Sequence, residues 1–208
     1  MRQIIYNAGM ENLEKQVHDK ARLENVPIMM DDGMEFLIDY ITTHTDIKDI
    51  LEIGTAVGYS SMRMAQVRWD NEIDTLEVNE NMYTQAVDNI HKAGLQDRIH
   101  VHLTDGAQFE TNKIYDLIFV DAAKSQYRRY LEHFYKNSRK GTVFIFDNLN
   151  FHGMVDNTKT TNNRSTRQMV HKIHKFRDFL LQDERFDTVF HSDVGDGVAV
   201  SVRKYNEE

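Results

Sequence analysis

Cysteine is absent from the 208 residues, so disulfides, thiolate nucleophiles and thiolate-bound zinc are all excluded. Proline occurs once, at Pro27, which leaves no proline-rich linker to divide the chain. No apolar run approaches the roughly 18 residues needed to span a bilayer. Residues 1–7 lack the apolar core of a secretion signal. No internal repeat or low-complexity tract is visible. Positive charge is in the minority: the net charge of −8 argues against a chain that coats nucleic acid nonspecifically. It leaves room for a local basic face. A single cytoplasmic domain over residues 1–208 is the expectation, with no membrane partner.

What is present is an ordinary globular composition, 40% hydrophobic and 28% charged. The stretch from Ile50 to Ser61 organises the rest. Ile50, Leu51 and Ile53, with Glu52 among them, read as a buried parallel strand. Gly54 breaks it, and Ser60 to Val67 read as a helix. A strand that turns through glycine into a helix N-terminus offers backbone N–H donors and the positive end of the helix dipole. Gly54 permits positive φ, and Gly58 is expected to let a ligand approach the backbone. A loop with two glycines and no ligand is the plainer alternative.

Residues 9–24 look helical, Val26 to Met30 extended before and after the proline, and Asp31 and Asp32 stand where the cap of a second helix belongs. Residues up to about 45 thus form two N-terminal helices that could serve as a lid or a dimer element. Further strands are predicted at 73–78, 98–104, 115–121 and 141–148, with helices between them. Glu77 closes the first of these, the second strand of the chain, 23 residues after Gly54, where nucleotide folds place an acid for ribose hydroxyls. His100 and His102 share one strand face but have no third ligand nearby, and they read as packed or solvated. Residues 150–163 form a polar loop. A helix over 165–182 follows, then a strand pair at 186–190 and 198–202. The fold class is α/β: a Rossmann-like sheet of about seven mostly parallel strands, a terminal antiparallel pair, and helices on both faces. The glycines read G-x-x-x-G rather than G-x-G-x-x-G, which weakens a dehydrogenase reading. A nonenzymatic nucleotide-binding module stays open.

Two strongly apolar strands end in Asp121 and in Asp147-Asn148, on the carboxyl edge where open α/β sheets bind ligands. Three oxygen donors suit Mg²⁺ or a similar cation with positions left for substrate. Lys124, one turn after Asp121, would point to the same place as a general base. The alternative is that Asp147-Asn148 caps a turn, Asp121 caps the helix and Lys124 is solvated.

The segments Leu51–Ser60, Phe119–Lys124 and Asp147-Asn148 together resemble the cation-dependent O-methyltransferases of the catechol and caffeoyl-coenzyme A type, which use S-adenosylmethionine. The match runs from Val26 to the closing Val194–Ala199 segment. Within that family the chain is most similar to short bacterial members that methylate 5-hydroxyuridine in the tRNA anticodon loop. That likeness rests on Val26–Met29, the polar loop and the basic helix. The resemblance implies that Met29, Glu52, Gly54, Ser60, Glu77, Ala107 and Asp121 bind S-adenosylmethionine. It further implies that Asp121, Asp147 and Asn148 hold Mg²⁺, that Lys124 and Asp121 are catalytic, and that the protein is a homodimer. Ala122-Ala123 stands where the catechol enzymes carry histidine and tryptophan, which argues against catechol itself.

The chemistry implied needs two adjacent oxygens on the acceptor, one of which is methylated. Catechols have them, and so does 5-hydroxyuridine through its 5-hydroxyl and 4-carbonyl. For tRNA the candidate docking residues are Arg164, Arg167, Lys172, Lys175 and Arg177, on a helix whose basic face could equally be plain solvated surface. A small catechol-like acceptor is the other possibility.

Overall fold

The structure, a computed structural model, describes residues 2–150 and 163–206, with side chains of the first helix from residue 12 onward. The predicted polar loop therefore lies almost wholly outside the described residues. Seven strands form one sheet: β1 (Asp49–Ile53), β2 (Glu72–Glu77), β3 (Ile99–Leu103), β4 (Leu117–Val120), β5 (Val143–Phe146), β6 (Phe186–His191) and β7 (Val198–Arg203). Their spatial order is β3-β2-β1-β4-β5-β7-β6, parallel through β5, with β7 antiparallel to both β5 and β6. The predicted α/β class and terminal antiparallel pair hold.

Every residue of β4 and β5 is buried. A strand covered by helices on both faces must be apolar throughout rather than alternating. One face is packed by α1 (Arg2–Leu23), α2 (Asp31–Thr43), α3 (Tyr59–Val67) and α4 (Glu80–Lys92). The other is packed by α5 (Tyr127–Phe134) and α6 (Arg164–Gln182). No described helix is long and apolar enough to cross a membrane.

Two expectations need correction. Asp31 and Asp32 do not cap α2: Met30 occupies the cap, and both acids lie inside the first turn, where they face the positive end of the helix dipole. Gly58 does not open a path for ligand. It is not among the residues lining the strand-end cavity; a Cβ there would touch Ala86 and Ile90 of α4 at 3.4 Å, and it is the φ of 82° that favours glycine.

Register determines what meets at the carboxyl edge. Ile53 pairs with Val120, and Val120 with Phe146. The next residues, Gly54, Asp121 and Asp147, therefore emerge side by side, tied by Asp121 N–H to Ile53 O at 3.0 Å and Asp147 N–H to Val120 O at 3.2 Å.

Candidate functional site

At that edge lies a cavity of about 330 Å³, lined among others by Ile28, Gly54, Glu77, Asp121, Lys124 and Asn148. A wider polar cleft of about 530 Å³ between α1, α2 and α3 takes nothing from a strand tip, so the strand-end cavity is the candidate site.

Gly54 sits at φ 108°. A Cβ there would lie 2.0 Å from the Asp121 carbonyl oxygen, so only glycine lets the two strand tips approach. Ala56 follows at φ 46°, a strained value for a side-chain-bearing residue, and its amide donates to Glu77 Oε2 at 2.8 Å. The other oxygen of Glu77 accepts from the Val78 and Asn79 amides at 2.9 and 2.8 Å. Glu77 thus faces the cavity with three amides already bound, and its remaining lone pairs are the ones a ligand could use.

Asp121 and Asp147 converge on one atom. Asn148 Nδ2 donates to Asp121 Oδ1 at 3.1 Å and to Asp147 Oδ2 at 2.9 Å, from a backbone held at φ 62°. Desolvation pushes the Asp121 carboxyl up, opposed by the Lys124 ammonium and the Asn148 hydrogen bond. Burial pushes Asp147 up as well, and the Asp121 charge adds to it. Among the described residues no group of three or more His, Cys, Asp or Glu side chains is placed to hold a metal; here the donors are two carboxylates and an amide. Their chemistry fits a hard divalent cation. Two crowded carboxylates are the groups such a charge would stabilise, and a turn of the Asn148 amide would present oxygen in place of nitrogen.

The remaining predicted residues lie around this centre. Glu52 is wholly buried beneath the turn. It accepts hydrogen bonds from Ser60, Ser61 and, at 2.5 Å, Thr75, so neither Glu52 nor Ser60 is among the residues lining the cavity. Met29 is buried behind it, while its neighbours Pro27 and Ile28 form the wall. From the turn after β3, Thr104 and Gly106 line the space rather than Ala107, whose amide donates to Asp105 Oδ1 at 2.8 Å. His102 bonds Asp74 at 2.8 Å and His100 approaches Glu72 at 3.4 Å.

Arg164, Arg167, Lys172 and Lys175 are exposed on α6. Arg177 departs from them: it is only partly exposed and its guanidinium lies over Phe190, 5.2 Å from the ring centre. α6 itself packs against the short 3-10 turn Lys124–Gln126.

Two residues were not anticipated. Tyr127, fully buried, donates its hydroxyl to the Asp147 carbonyl at 2.9 Å, and Tyr130 lines the cavity. Both fall on the apolar face of α5, where sequence spacing cannot separate a core aromatic from one that supports a site.

The family model for O-methyltransferases matches residues 4–204. A catechol O-methyltransferase of Niastella koreensis is 29% identical over 168 residues, covering 76% of this chain and 74% of that protein. A Staphylococcus aureus structure, provisionally named a caffeoyl-CoA O-methyltransferase, is similar with TM-score 0.86 and 30% identity over 91% of each chain. An O-methyltransferase of Bacillus cereus solved in complex with SAH has TM-score 0.78 and 29% identity, covering 93% of this chain and 91% of its own.

Proposed function

The chain belongs to the O-methyltransferase family, and from that premise we propose that it methylates one of two adjacent oxygens of its acceptor. The donor in this reading is S-adenosylmethionine, with Mg²⁺ or a similar cation at Asp121, Asp147 and Asn148. The acceptor is 5-hydroxyuridine in the tRNA anticodon loop. One observation carries the reading: the glycine turn, Glu77, Asp121, Lys124 and Asn148 line one cavity, with Asp147 joined to it through the Asn148 amide. The Bacillus cereus relative with bound SAH supports the cofactor.

S-adenosylmethionine would supply a methyl group on a sulfonium centre. A divalent cation would lower the pKa of a coordinated acceptor hydroxyl. The chain supplies the rest. Glu77 offers its remaining lone pairs to ribose hydroxyls. Gly54 holds the backbone close enough to Asp121 that both face one ligand. Lys124 faces the same space and takes the proton from the attacking hydroxyl at Nζ. Rate is gained mainly by fixing acceptor oxygen and methyl carbon in line. In this reading the N-terminal helices serve as lid or dimer element; Pro27 and Ile28 between them form part of the cavity wall, which supports the lid.

A small catechol-like acceptor is the second reading, favoured by the Niastella relative and by the acidic net charge. Nucleoside mass spectrometry of tRNA from cells with and without the protein separates the two. Loss of 5-methoxyuridine supports tRNA, and its persistence removes that substrate. Asp147→Ala is expected to abolish turnover while leaving S-adenosylmethionine binding by calorimetry within a few-fold. Full activity in excess chelator would remove the cation from the reaction.

A further inference from the structure

The Gly195–Gly197 turn between β6 and β7 has no part in the chemistry above, yet it touches two distant pieces of the site. On one side it fastens the chain that follows Asp147-Asn148. Leu149 N–H donates to Gly197 O at 2.8 Å, and Asn150 N–H to Asp196 O at 2.6 Å. A Cβ on Gly197 would lie 2.8 Å from the Asn150 nitrogen, so this contact requires glycine. On the other side, Gly195 N–H donates to Asp32 Oδ2 at 2.9 Å, across 163 residues of sequence. The second oxygen, Asp32 Oδ1, accepts from Gly33 N–H at 3.0 Å.

Gly195, at φ 54°, lies against both pieces at ordinary contact distance. A Cβ there would meet Gly33 Cα at 3.5 Å and Asp147 Oδ1 at 3.8 Å. Met29 packs over Gly33, with its Cε 3.0 Å from where a Cβ would stand. Immediately upstream, Pro27 and Ile28 line the cavity. A continuous path therefore runs from the cavity wall through Met29, Gly33 and Asp32 to Gly195, and on to the strand tip bearing Asp147.

We infer that Asp32 is a positioning residue whose two carboxylate oxygens latch the wall at Pro27–Met29 to the turn that seats the Asp147-Asn148 tip. The inference rests on the cavity being the cofactor site. The chemistry of the latch is specific. Two N–H groups converge on one side chain, and a carboxylate is acceptor at both ends. Asparagine is acceptor at one end only, so one N–H would face an NH₂ group. Glutamate is one methylene longer; it reaches Gly195 but gives up the short bond to Gly33.

The test uses the full chain with Asp32→Ala, Asp32→Asn and Asp32→Glu. Asp39→Asn, an exposed acid further along α2, is the control for charge. For Ala and Asn the Kd for S-adenosylhomocysteine by calorimetry is expected to rise about tenfold. At saturating cofactor kcat falls by less than about tenfold with the melting temperature unchanged, since the latch also seats the Asp147-Asn148 tip; Glu recovers part of the affinity, and the control is unchanged. Hydrogen exchange of the ligand-free protein is expected to quicken at residues 26–33 and at Gly195. A general loss of structure would instead lower kcat and the melting temperature together. Wild-type affinity in Asp32→Asn, or unaltered exchange at residues 26–33 in both Ala and Asn variants, overturns the latch. Failure of the wild-type chain to bind S-adenosylhomocysteine would overturn the cofactor reading instead, and the exchange measurement then decides the latch alone.

Discussion

A single carboxyl group illustrates how burial, with a smaller push from the Asp121 charge, sets a pH response. Glu52 has no exposed surface, and desolvation lifts its pKa from the ordinary 4.5 to about 7, against the pull of three hydroxyl donors. A raised acid holds its proton in the folded chain over a range where the unfolded chain has already released it. Its contribution to stability is therefore greatest below about pH 4.5 and is lost as pH rises toward 7. The loss is on the order of 3 kcal/mol across that window. Glu52→Gln keeps the shape without the titration. Denaturant melts of both proteins at pH 5 and pH 7.5 are expected to show that their stability difference shifts in favour of the variant at the higher pH. Parallel pH curves for the two would show that Glu52 is not the group responsible. The sequence marks Glu52 as an acid inside an apolar strand, but not that Ser60, Ser61 and Thr75 enclose it. Those bonds close only when β1, β2 and α3 are assembled.

Elements were more legible than partners. The recurrence of Met169, Val170, Ile173, Phe176 and Leu180 at three and four residues located α6 to within one residue of its observed start. β4 and β5 announced themselves as short apolar runs ending in acids. What no local pattern shows is which neighbour a residue will meet. Gly58 faces α4 rather than a ligand, and Arg177 lies over Phe190 rather than joining the exposed basic face. Asp31 and Asp32 occupy the first turn of α2 rather than its cap. Phe176 anchors α6 together with Val170, Ile173 and Leu180, its ring centre 5.0 Å from that of Phe146 and 5.6 Å from that of Tyr127. Phe176→Ala is expected to cost about 3–5 kcal/mol, read as a lower denaturation midpoint with an unchanged m-value. α6 also packs on the Lys124 turn, so turnover should fall further than cofactor affinity. A midpoint shift worth under about 1 kcal/mol would mean that the helix is held elsewhere.

For the molecule as a whole, the proposed tRNA substrate must be reconciled with a net charge of −8. An acidic body repels phosphate at long range, so docking has to depend on a local patch and on salt. Arg164→Glu with Arg167→Glu is expected to weaken tRNA methylation at least tenfold and to lower the slope of log affinity against log salt by about two. Methylation of a small catechol by the same variant should be unaffected. Equal losses on both acceptors would defeat the docking role of α6.

The placement of β7 carries a consequence for biosynthesis. Translated last among the strands, Val198–Arg203 is inserted between β5 and β6 and hydrogen-bonds to both. Its final residue buries an arginine that donates to the Tyr135 and Ser138 carbonyls. On the ribosome, a nascent chain lacking these few residues has an open seam beside β5, and the corner that Asp147 occupies is braced from the β4 and Tyr127 side alone. That corner of the sheet is thus closed only once Val198–Arg203 has emerged and paired with both neighbours, and a stop before Val198 is expected to leave the candidate site without its flank.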